Sequence, residues 1–116
     1  MSGHDRIDTI PAATARHYQQ MAVRDRAWEA VERDFNAGGY LDELCDELGP
    51  EDWVSELVHG IFWRARSRAM DEGISPATAD RVAMAELRDL FADAGQAARY
   101  DQARHAVCER IVEDML

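Results

Sequence analysis

The sequence predicts an all-α fold, a compact bundle of about five helices, and three observations carry that prediction. Apolar residues recur at helical spacing along most of the chain, and no β-branched segment alternates in polarity. Glycine or proline punctuation falls at intervals of one helix length. The connections left between the segments run to about four residues at most, which suits antiparallel neighbours.

The first helix is opened by Thr9-Ile10-Pro11, with Thr9 or Asp8 as N-cap and the proline inside the first turn. Its expected core face reads Tyr18, Met21, Trp28, Val31 and Phe35, and Gly38-Gly39 stops it. A short second helix over 40–48 places Leu41, Leu44, Cys45 and Leu48 on one stripe, with Asp42, Glu43, Asp46 and Glu47 turned away from it. Gly49-Pro50 separates it from a third helix over 50–72, whose first turn holds Glu51 and Asp52 where acids complement the helix dipole. The third is the most apolar, with Trp53, Val54, Leu57, Val58, Ile61, Phe62 and Ala65 in a wide stripe, and is expected to be central. Ser75-Pro76 opens a fourth with a serine cap and proline at its first position. Ala79, Ala83, Leu87, Leu90, Phe91 and Ala94 line its inner face up to Gly95. The fifth, over 96–115, packs with Ala97, Tyr100, Val107, Ile111 and Met115. Residues 1–8 read as a flexible leader and 9–116 as a single helical domain, large enough for a core without disulfides or metals.

Charge is unevenly distributed. Of the net −10, residues 34–63 contribute −8, with eight acids and no base, while residues 1–33 balance to zero. Those eight are Asp34, Asp42, Glu43, Asp46, Glu47, Glu51, Asp52 and Glu56. Such a field repels nucleic acid and favours a basic partner, or serves solubility alone. All 13 basic residues are arginine, as a GC-rich coding genome would produce, so the arginines need not be selected for bidentate binding. No apolar run is long enough to span a bilayer, and the first eight residues lack the apolar core of a secretory signal; the expected location is the cytoplasm.

Motifs of catalysis and metal binding are incomplete. Glu56-x-x-His59 has the spacing of a di-iron helix, but Thr14-x-x-His17 and Gln102-x-x-His105 lack the second carboxylate. His4-Asp5, the dipeptide of some metal-dependent phosphohydrolases, falls in the leader. Cys45 and Cys108 sit in or beside apolar stripes as reduced, buried thiols, and Ser75 is explained as a cap. The expectation is therefore no catalytic residue, no metal and no cofactor. Arg64, Arg66 and Arg68 follow the acidic segment in the last turns of a helix, where cations are favoured anyway. The fourth and fifth helices are long for a helix-turn-helix and the fifth is rich in acids, so direct DNA binding is not expected.

Trp63 stands apart. It falls nearly opposite the centre of the third helix's apolar stripe, beside Asp52, Glu56, His59 and Met70. Either further helices cover this face or Trp63 is exposed, in which case a tryptophan ringed by acids forms a partner surface. The candidate partner-binding residues are Asp42, Glu43, Asp46, Glu47, Glu51, Asp52, Glu56 and Trp63.

In size, helical plainness and acidity the whole chain resembles the small anti-CRISPR proteins of phages and mobile elements. No motif carries that resemblance, so it transfers no residue. It implies a non-enzymatic inhibitor that blocks a CRISPR effector, or the helicase-nuclease it recruits, in a bacterial cytoplasm. The alternative is a small bacterial regulatory or structural protein working as a helical homodimer, with Trp63 at its two-fold interface. A third class, a metal-dependent helical enzyme, would use His59 and Glu56.

Overall fold

A computed structural model describes residues 12–49 and 51–116. Its five helices are α1 (Ala12–Asn36), α2 (Leu41–Leu48), α3 (Asp52–Asp71), α4 (Pro76–Asp93) and α5 (Ala97–Met115). Among the described residues 87% are helical and none is in a strand, so the all-α bundle holds. The leader, the cap at Thr9 or Asp8, Pro11, His4-Asp5 and Pro50 lie outside the described residues.

Most of the expected punctuation works as the residue types dictate. Gly38, Gly73 and Gly95 adopt positive φ, at +82°, +90° and +76°. Beyond each, an amide reaches back five residues to close the helix end: Gly39 to Asp34, Ile74 to Ala69 and Gln96 to Phe91. Ser75 caps α4 by accepting from the Thr78 amide, with Pro76 at the first helical position.

One core unites the helices. α5 packs against α1, α2 and α4, and α3 pairs with α4 and α2. α4 also touches α1, so α4 and α5 are each packed by three helices and α3 by two, and α3 is not the one central helix it was expected to be. The reason lies in what faces each stripe. α5 buries Tyr100, Ala103, Val107, Cys108 and Val112 beneath three neighbours. α3 has an uncovered flank, so Trp53 and Leu57, expected in the core, are exposed, and only Val54, Val58, Phe62, Ala65 and Ala69 are buried. Buried alanines on both partners, Ala65 and Ala69 on α3 and Ala79 and Ala83 on α4, leave room for those two helices to approach closely. Leu90 and Ala94 are exposed for the same reason as Trp53, and Met84 takes a core position instead. At the ends of α5, Ala97 is half-buried and Met115 exposed, where the neighbouring helices run out.

α1 differs most from expectation. Ala27, Val31 and Phe35 are buried and Trp28 packs against the core, stacked on His105 at 5.4 Å. Tyr18 and Met21 are exposed, because α1 runs past the end of α5, which reaches its first half only through residues such as Glu113 and Leu116. Arg24, paired with Glu113 near the end of α5, marks where the contact stops. The resulting molecule is elongated, 68 × 34 × 25 Å. Cross-helix ion pairs dress the seams: Arg104–Glu32 at 3.2 Å between α5 and α1, Arg110–Glu47 at 2.9 Å between α5 and α2, and Arg66–Asp80 at 2.6 Å between α3 and α4.

Candidate partner-binding surface

Trp63 is exposed, with 52% of its surface open to solvent. It sits two-thirds of the way along α3, one residue after the buried Phe62. The 100° step between consecutive helical residues turns it out of the core while keeping it against its neighbour. Two contacts hold the indole. The Phe62 ring meets it edge-on, with centroids 5.1 Å apart at 90°. The Arg66 guanidinium, one turn along, lies 5.4 Å from its centroid. Arg66 is itself fixed by Asp80 of α4. The exposed aromatic is therefore pre-ordered, and its partners were readable in part, since Arg66 stands at i+3 from Trp63.

α2 delivers acids to the same place. His59 Nε2 lies 2.9 Å from Asp42 Oδ1, joining the middle of α3 to the first turn of α2. Asp42, Glu43, His59, Trp63 and the Arg66–Asp80 pair all border one open depression beside the turn at Gly38-Gly39. Asp42 is almost fully solvated, its side chain 83% exposed, so its charge is presented outward. Of the eight candidate residues, Asp42, Glu43 and Trp63 are brought together here. Asp52 and Glu56 are exposed and lie on the same side of α3 as Trp63. Glu51 is exposed at the N-cap of α3, and Asp46 is exposed on α2. Glu47 serves the fold, through its ion pair with Arg110.

No group of three or more His, Cys, Asp and Glu among the described residues is placed to hold a metal ion, and His59 pairs with Asp42. Cys45 and Cys108 are buried, and burial pushes both thiols up, away from the reactive thiolate. Of the arginine cluster, Arg66 and Arg68 are engaged by Asp80 and Glu86 of α4. No described helix is long and apolar enough to cross a membrane.

Periodicity did not foresee a second exposed apolar surface, between α3 and α4, to which Trp53, Leu57 and Leu90 contribute. These residues have core-like spacing, and only the placement of the neighbouring helices decides that they stay uncovered. Comparison with known proteins yields no relative: no family model matches the chain, and neither a curated protein nor a solved structure does.

Proposed function

We propose that this protein works by binding another, basic protein through the Trp63 face, and that it acts as an inhibitor in a bacterial cytoplasm rather than as an enzyme. The observation that carries this reading is Trp63 itself, half open to solvent and held by Phe62 and Arg66 beside the carboxylates of Asp42 and Glu43. A pre-ordered aromatic loses little freedom on binding, which is what makes such residues hot spots. The acids around it supply steering toward a basic surface.

The partner class we favour is a nucleic-acid-processing effector, in line with the resemblance to anti-CRISPR proteins. Effectors of that kind hold phosphates in basic channels, and a cluster of carboxylates on a rigid helical support competes for the same charges. The test is association kinetics with a purified effector. Reversing Asp42 and Asp46 to arginine, both exposed on α2, should slow association about tenfold at low salt and leave the helical content unchanged. Glu47 is left alone because its ion pair with Arg110 is the more shielded one, its side chain 31% exposed, whereas Asp42, at 83%, gives up only a solvated contact with His59. Wild-type association rates in the reversed protein would rule out the acidic face as the docking surface.

A further inference from the structure

Three arginines converge on one small depression where α1, α4 and α5 meet. Arg81 and Arg88 stand two turns apart on one face of α4, and Arg104 comes from α5. Asn36, the last residue of α1, completes the rim of a space of about 200 Å³. No acid is among the described residues that line it, although the chain carries a net charge of −10.

The floor is made by Met84 and Tyr100, both buried. Tyr100 is only 1% exposed, and its hydroxyl has no hydrogen-bond partner among the described residues: burial and neighbouring charges alone act on the phenol. Two of those charges are the guanidiniums of Arg104 and Arg88, so the polar end of the side chain lies on the arginine side. A buried donor without an acceptor is costly and uncommon, and a bound species that supplies the acceptor explains it. The arginines also have donors to spare. Arg81 Nη2 reaches the Thr78 hydroxyl at 3.4 Å, Arg88 Nε stands 3.5 Å from Asp101, and Arg104 Nη2 reaches Glu32 at 3.2 Å and Asn36 at 3.5 Å. Only one nitrogen of each guanidinium is engaged by these contacts, and the Arg88–Asp101 pair is solvated on both sides. Arg104 is further held over the Phe35 ring, 5.2 Å from its centroid.

We propose that this depression binds a phosphoryl dianion, free or at the end of a small ester, through Arg81, Arg88 and Arg104 and a hydrogen bond donated by Tyr100 Oη. The ligand class follows from the donors. A carboxylate brings one charge and two oxygens. A phosphoryl group brings close to two charges and three terminal oxygens, which suits three guanidiniums and a neutral hydroxyl. None of these side chains borders the Trp63 depression, so the site is independent of the partner-binding reading.

The test is titration calorimetry on the full chain in low-salt buffer near pH 7.5, where a phosphoryl group with a second pKa of about 6 is a dianion. Inorganic phosphate, phenyl phosphate and acetate are the probes. Both phosphates should bind saturably, one per chain, and acetate about tenfold more weakly or less well still. Tighter binding of phenyl phosphate assigns the site to an ester, and tighter binding of inorganic phosphate to the free ion. The double variant Arg81→Gln, Arg88→Gln should weaken phosphate binding about tenfold or more with unchanged circular dichroism, since both positions are exposed. Tyr100→Phe separates a ligand contact from a structural one. Losing an unpartnered hydroxyl should leave the midpoint of the ligand-free protein at or above the wild-type value at neutral pH. Phosphate affinity should nevertheless fall, and with it the rise in midpoint that phosphate gives the wild type. Absence of saturable binding, acetate bound as tightly as phosphate, or full affinity in either variant would each overturn the proposal.

Discussion

Tyr100 is the largest fully buried side chain in the described molecule, and burial pushes its phenol up to about 12 from an ordinary value of 10. The guanidinium groups of Arg104 and Arg88 oppose that displacement without cancelling it. In the unfolded chain the phenol ionises near 10, so between about 10 and 12 the folded state binds more protons than the unfolded one. The contribution of the neutral phenol is thus intact below pH 10 and is lost as pH rises toward 12, to a total of roughly 3 kcal/mol. Thermal midpoints measured from pH 9 to 11.5 should fall over the upper part of that range. Tyr100→Phe, which has no proton to lose, should flatten the fall, and an unchanged pH dependence in that variant would show that another group controls it.

At the scale of elements, the turn that ends α1 is the one most tightly tied to tertiary structure. Gly38 combines positive φ with a close approach: a Cβ there would stand 2.9 Å from the Phe62 ring. Gly73 has the same backbone sign but open space around it. Gly73→Ala should therefore cost only the strain of the left-handed conformation, about 1–2 kcal/mol, whereas Gly38→Ala must also displace a core ring and should cost clearly more. Urea midpoints for the two variants measure the difference, and equal losses would mean that Phe62 yields freely. These turns were legible in the sequence because glycine's conformational role is local, and so was the cap at Ser75. Which apolar residues are covered was less legible. Tyr18, Met21, Trp53, Leu57 and Leu90 all have the spacing of core residues, and periodicity identifies a face without identifying what lies against it. Each is exposed because α1 outruns α5 or because α3 and α4 have no third helix over their shared flank. Trp63 was left open for the same reason, and its exposure follows from the arrangement of α2 and α4 around α3.

For the molecule as a whole, charge and exposed aromatic surface converge on the α2–α3 side while half of the described arginines are drawn into pairs between helices. Arg104 with Glu32, Arg66 with Asp80, Arg68 with Glu86 and Arg110 with Glu47 hold neighbouring helices together, and Asp42 is among the acids that remain solvated beside Trp63. The account rests on that tryptophan being a binding residue and not a structural one. Trp63→Ala, assayed for both thermal stability and affinity for the purified effector, tests this most directly. The predicted result is a nearly unchanged thermal midpoint, since the indole is half exposed, together with an affinity loss of about 2 kcal/mol or more, roughly thirtyfold. Wild-type affinity, or collapse of the fold in the variant, would contradict it.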